Sequence, residues 1–492
     1  MVGVAPVEAR AVVSALAAQA DEGPGPAPTA DERAAMTSAL FVTTLASFLT
    51  PFMSSSVNIA LPRISDDLGV DAVLLVWAGA AFLLAVAMFL VPFGRAADIY
   101  GRKRVYLWGM GVWTVFSLLC ALSTTGEMLV AMRFLQGIGG AMIFGTSVAI
   151  LTSVFPASER GRVIGINVGA VYLGLSVGPT VGGLMTDALG WRSVFVLIVP
   201  LGIAVVAVAL AKLKGEWAGA RGEPYDAPGA AIYVVMVLLT MGGFALLPWR
   251  GGVAMLVAGL LVFVAFIAWE RRTPSPVLDI GLFRGNRVFA LSNLAALISY
   301  AATFSVVFFM SVYLQDVKHL DAKGAGLVML SQPIVQAALS PAAGRLSDRV
   351  EPRIVASVGM AMQFVGLLFL VMLDEGTAIY LVVAGLGFLG LGFALFSSPN
   401  TNAVMSAVER ARYGVASSMV ATMRAIGQVT SMSFAAMLVG IYVGAHKVTD
   451  GHEADFMAAM HVGFVVFSVL CLVGVAASLV RGNLRDGNAT RG

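Results

Sequence analysis

Fourteen runs of mostly apolar residues, each near the roughly 20 needed to cross a bilayer as a helix, follow one another along this chain. Their approximate spans are 38–61, 73–97, 103–124, 127–153, 161–187, 192–213, 227–248, 251–269, 287–314, 322–347, 353–373, 377–398, 413–440 and 459–480. A membrane β-barrel would instead show strands of about 10 residues with alternating polarity. Composition agrees: of 492 residues, 59% are hydrophobic and only 12% charged. That is too few charges to coat a water-soluble protein of this length. The reading is an all-α integral membrane protein with 14 spanning helices. A cytosolic enzyme, a disordered chain and a nucleic-acid binder are excluded.

Residues 1–36 are rich in Ala, Pro and Gly, and read as a disordered tail that cannot bury enough apolar surface to offset chain entropy. Cys120 and Cys471 lie inside apolar runs, and the four histidines form no ligand pattern. No nucleotide-binding loop or nucleophilic triad is present. No metal, cofactor or enzymatic activity is therefore expected.

Orientation follows from the basic residues. With both termini cytoplasmic, the inner loops and tails hold 23 of the 31 Lys and Arg residues and the outer loops 6. Arg133 and Arg424 fall within spans. An internal repeat supports the same topology. Gly94-Arg95-Ala96-Ala97-Asp98 ends the second span, and Gly344-Arg345-Leu346-Ser347-Asp348 ends the tenth, 250 residues later. Spans 1–6 then correspond to spans 9–14, with 7 and 8 inserted. The expected organisation is a tail (1–36), an N-terminal six-helix bundle (37–213), two linker helices (214–270), a C-terminal six-helix bundle (271–480) and a short tail (481–492). Parallel repeats of this kind enclose a site at mid-membrane that opens to alternate sides.

The loop Gly94-Arg95-Ala96-Ala97-Asp98-Ile99-Tyr100-Gly101-Arg102-Lys103-Arg104 resembles the signature loop of the major facilitator superfamily. Physically, Gly94 lets helices approach, Gly101 permits a turn with positive φ, and Asp98 can bond an Arg or a helix N-terminus. The second copy keeps Gly344 and Asp348 and has Glu351-Pro352-Arg353 where the later glycine would be. Arg133-Phe134-Leu135-Gln136-Gly137 resembles the motif of proton-coupled members. An Arg at that depth costs roughly 2.5–3.5 kcal/mol on insertion scales, so it is functional or paired by default. Gly174, Gly178 and Gly182, with Pro179 and Gly183, form a small-residue face for close helix contact. The same run resembles the superfamily's antiporter motif. Ser56-Val57-Asn58-Ile59-Ala60-Leu61-Pro62, Trp191-Arg192, Leu282-Phe283-Arg284, Ser398-Pro399-Asn400 and Arg424-Ala425-Ile426-Gly427-Gln428 resemble the fourteen-helix drug–proton antiporters.

The resemblance implies export of small lipophilic compounds from the cytoplasm by a monomer, with protons as coupling partner and the bilayer as solvent. Gly94, Asp98, Gly101, Arg102, Gly344 and Asp348 would form the conformational switch, with Arg133 and Asp98 in coupling. Substrate would meet Asn58, Gln136, Tyr172, Asn293, Gln332, Gln336, Asn400 and Arg424, although each polar side chain could equally be an interhelical bond worth about 1 kcal/mol. In one respect the chain departs from the pattern. Many relatives carry an acid nine positions before Pro62, and here that residue is Met53. No acid lies deep in a span; Asp98, Glu127, Asp187, Asp316 and Asp348 all sit near helix ends. Dications are therefore expected to be poor substrates. Export of an anionic or neutral metabolite, with Arg133 or Arg424 as counter-charge, is the second reading. A non-transporting membrane sensor on the same fold is the third.

Overall fold

A computed structural model describes residues 30–246, 250–278, 281–408, 413–444, 446, 448 and 451–482. Among these residues the structure is helical, without strands. Each apolar run becomes a helix: α1 Ala30–Leu68, α2 Ala72–Tyr100, α3 Arg102–Ala121, α4 Gly126–Val154, α5 Ala157–Leu189, α6 Arg192–Lys212, α7 Ala227–Ala245 and α8 Arg250–Glu270. After a short turn at Gly281–Gly285 come α9 Arg287–Val317, α10 in two pieces (Ala322–Met329 and Ser331–Arg349), α11 Pro352–Val371, α12 Ile379–Ser406, α13 Tyr413–Tyr442 and α14 Glu453–Val480. Twelve of these are long and apolar enough to cross a membrane on that ground alone. Of the remaining two, α5 is rich in glycine and α10 in polar residues, and both line the central cavity described below.

Side-chain caps begin several helices where the sequence turns from loop to apolar run. Asp71 accepts from the Leu74 N–H at 2.7 Å, Asp226 from Gly229 at 2.9 Å and Asn286 from Phe289 at 2.9 Å. The first helix begins at Ala30, inside the stretch read as tail. Ala34 and Ala35 in its opening turns are strong helix formers. Residues 1–29 and 483–492 lie outside the described residues.

The repeat is visible in the packing. Helix α1 packs on α5 as α9 packs on α13, and α2 on α4 as α10 on α12. Likewise α3 packs on α4 and α6 as α11 packs on α12 and α14. The halves meet along α2–α13, α5–α10 and α1–α9. With an even number of crossings, both ends of the described chain emerge at one face, here called the terminal face. Inserted helix α7 lies against both α2 and α13. The Tyr233 hydroxyl donates to the Ala87 carbonyl at 3.1 Å, and the Thr430 hydroxyl to the Met241 sulfur at 3.5 Å. Helix α7 thus straps one seam between the halves.

Candidate functional site

Helix irregularities put side chains at the centre. Helix α9 is interrupted after Thr303, and α10 breaks at Leu330, close to Pro333, which has no N–H to donate. Pro51 in α1 and Pro179 in α5 weaken the ladder at similar depth. These segments, with α2, α4, α12 and α13, bound a two-lobed cavity between the halves. Both lobes are lined by Tyr172, Leu175, Tyr300, Phe304 and Gln428. One lobe adds Thr50, Ser54, Phe82, Phe144 and Arg424. The other adds Thr303, Met310, Met329, Gln332, Gln336 and Phe393. Their volumes, about 60 and 90 Å³, hold a few waters. A drug-sized molecule needs several hundred, so helices must part for it to enter.

Four of the eight substrate candidates line this cavity: Tyr172, Gln332, Gln336 and Arg424. The Tyr172 hydroxyl is also hydrogen-bonded to Ser397 of the opposite half. The other four are turned into helix contacts, and line neither lobe. Asn58 is buried against Gly79 of α2, and its carbonyl accepts from the Ser311 hydroxyl at 2.8 Å. The Asn293 amide donates to the Phe289 carbonyl one turn back at 2.8 Å. Gln136 and Asn400 each serve a buried arginine. Sequence reasoning missed Tyr300, Phe304 and Gln428. Gln428 was accessible to it, because it stands one turn after Arg424 on the same helix face.

Arg133 is 1% exposed and lies outside the cavity. Its Nε donates to the Ala78 carbonyl at 3.2 Å, and an Nη donates to Gln136 Oε1 at 2.6 Å. The guanidinium also sits 4.7 Å from the centre of the Phe82 ring. Gln136 in turn donates to the Ser117 hydroxyl at 2.6 Å and faces the Met53 sulfur at 3.4 Å. A thioether therefore occupies the place from which an acid would answer Arg133 through Gln136. Carbonyl, amide and ring dipoles hold the cation instead. A second buried arginine stands at the end of α14. Arg481, assigned above to a tail, is 1% exposed and donates to Asn400 Oδ1 at 2.7 Å and to the Ser292 hydroxyl at 3.0 Å. Burial pushes its guanidinium down to about 10, which leaves it charged at neutral pH. Arg481 ties α14 to α9 and α12, which explains why Asn400 is not free to meet substrate.

At the terminal face Asp98 and Arg102 of the signature loop are bonded within their own half, and the rest of the loop meets the linker. Asp98 pairs with Arg102 at 2.7 Å, and Arg102 continues to the Ala149 carbonyl at 3.1 Å and the Ser153 hydroxyl at 2.5 Å of α4. Gly101 has φ 118°, and an added Cβ would strike the Glu216 carboxylate. That carboxylate accepts from the Lys103 and Arg104 N–H groups, capping α3. Arg95 reaches Glu223 and Ser275, both at 2.5 Å. The Ser275 hydroxyl and then the Arg95 guanidinium hold the Glu223 carboxyl below the usual range. The linker thus clasps the loop. Gly94 passes close to Gly145 of α4, and Gly344 lies beside Ser398 of α12. The side chain of Asp348 lies outside the described residues.

At the opposite face the halves are bolted together. Gln315 donates to the Ile59 carbonyl at 3.1 Å, and the Lys323 N–H donates to Asp187 at 2.7 Å. Gly174, Gly178 and Gly182 pack on Phe48, Phe52, Ser55 and Ser56 of α1, within their own half. Gly183 instead abuts the Ala322 backbone, and Pro179 abuts Gly326, both across the seam. The cavity is sealed on this side.

Paired six-helix halves around a central cavity, sealed at one face, define a membrane transporter. The model of the Major Facilitator Superfamily matches residues 43–331 and 292–490, and the chain belongs to that family. The riboflavin transporter RibZ of Clostridioides difficile is 26% identical, covering 89% of this chain and 95% of its own. The multidrug resistance protein Stp of Mycobacterium tuberculosis is 31% identical, covering 82% and 76%. A crystal structure of the peptide transporter POT in complex with alafosfalin shares the fold, with a TM-score of 0.67 at 14% identity and coverage of 92% and 99%. The chain is a multi-pass membrane transporter and not an enzyme.

Proposed function

We propose that the protein exports small lipophilic compounds across the cytoplasmic membrane, as a monomer, by alternating access and in exchange for protons. The observation that carries this reading is the aromatic cavity between the halves, closed at the face remote from the termini. The excess of basic residues in loops at the terminal face supports a cytoplasmic position for that face. The state described is then one closed on the outer side. Asp98 and Arg102, bonded within one half here, exchange partners as the terminal face closes, which gives the signature loop its switching role. The small-residue face of α5 keeps α1 and α5 together as one moving body. Similarity to Stp supports a drug-like substrate. A second reading, export of an anionic metabolite, is favoured by the Arg424 guanidinium in the same cavity.

The test is uptake of a panel of lipophilic compounds into inverted vesicles, with and without an imposed pH gradient. Uptake that needs a vesicle interior more acidic than the medium is expected. Uptake indifferent to the gradient would remove proton exchange, and no uptake of any compound would remove export and favour a sensor.

A further inference from the structure

Arg424 is the one charged residue lining either lobe of the cavity among the described residues. It stands at mid-height in α13 and is half-buried. Other buried or half-buried basic residues differ from it. Arg133 is bonded to Ala78 and Gln136, Arg481 to Ser292 and Asn400, and Arg102 to Asp98. Arg424 makes no hydrogen bond or ion pair within the described protein. Its neighbours are neutral: Tyr172, Tyr300, Gln428, Thr50 and Ser54, with the rings of Phe82, Phe144 and Phe304.

An unpaired cation in a mostly apolar cavity is costly, and the cost is recovered when an anion arrives. A planar guanidinium with several parallel N–H donors matches a carboxylate, sulfonate or phosphate in fork geometry. The surrounding rings and tyrosine hydroxyls suit a flat body that carries such a group. We infer that Arg424 is the anchor for the acidic group of anionic aromatic substrates, and that Tyr172, Tyr300 and Gln428 orient that group. This deepens the export reading, and rests on it for the direction of movement, though not for binding. Arg133 is excluded from the same role by its position outside the cavity. A substrate anion also neutralises the cavity, so the loaded carrier crosses between states without a bare charge at its centre.

The experiment measures binding of 2-naphthoate, 2-naphthylmethanol and 2-naphthylmethylammonium to full-length protein in lipid nanodiscs, by equilibrium dialysis with empty nanodiscs subtracted. These probes share one ring system and differ in charge. Wild type should bind naphthoate about tenfold more tightly than the alcohol, with the ammonium weakest. Arg424→Gln should lose that tenfold preference while the alcohol changes by less than about twofold, and Arg424→Lys should keep part of it. Equal weakening of all three probes by Arg424→Gln, ammonium binding as tight as naphthoate in wild type, or no naphthoate binding at all would overturn the inference. A wild type that binds naphthoate selectively yet moves nothing in vesicles would leave the anion site standing and remove the export reading.

Discussion

Arg133 and Met53 show what a single position decides. With an acid at residue 53, the Arg133–Gln136–Ser117 chain would end on a carboxylate; with a thioether it ends on a weak acceptor. The arginine is then held by neutral dipoles alone, and its removal strands the acceptors around it. In Arg133→Ala the Ala78 carbonyl and Gln136 Oε1 lose their donors, which costs about 1–3 kcal/mol for each buried orphan, offset in part by the removal of a buried charge. A lower thermal midpoint in detergent and loss of proton-driven uptake are expected. Adding Gln136→Leu should recover part of the midpoint, because the stranded acceptor goes too. An unchanged midpoint in the single variant would mean that Arg133 contributes nothing to packing. Residue identity made the burial of Arg133 legible in advance, since no charged residue sits mid-run without a reason. It did not reveal that Asn58, Gln136, Asn293 and Asn400 face other helices. A polar residue on a spanning helix can turn toward the cavity or toward a neighbour, and the crossing of two helices decides which. Arg481 was hidden for a related reason: it follows an apolar run, and only the fold shows α9 and α12 closing over it.

Among the elements, α5 has two faces with different partners. Gly174, Gly178 and Gly182 pack on α1, and Gly183 packs on α10. The four-residue spacing announced a close contact but not its partner, because spacing fixes a stripe and leaves the neighbouring helix open. At Gly178 an added Cβ would fall 1.9 Å from the Ser55 hydroxyl and 2.7 Å from the Phe52 carbonyl. Gly178→Leu must therefore push α1 and α5 apart, at a cost of about 1–3 kcal/mol or more. The expected result is a protein that still inserts, unfolds at lower temperature and fails to transport. Normal transport with an unchanged midpoint would show that α1 and α5 do not need this contact to move together. The inserted helices were expected as a linker. The structure adds a task that hydropathy alone could not show: α7 straps the α2–α13 seam, and the segment before it clasps the signature loop through Glu216 and Glu223.

On the scale of the whole molecule, the 250-residue repeat of the Gly-Arg…Asp loop was enough to foresee two parallel halves, because each copy ends a helix on the same side. What it could not foresee is the state of the molecule, which depends on weak contacts between the halves rather than on strong contacts within them. Those contacts put the seal at the face remote from the termini, along α1–α9 and α5–α10. If the halves rock about the cavity, that seal must break and reform in each cycle. Asp187→Cys with Lys323→Cys offers a direct test, because the Asp187 carboxylate already bonds the Lys323 N–H across the seam, while native Cys120 and Cys471 are buried. Oxidation should close a disulfide and stop uptake into inverted vesicles, and reduction of the same sample should restore it. Undiminished uptake with the cross-link formed would contradict alternating access about this cavity.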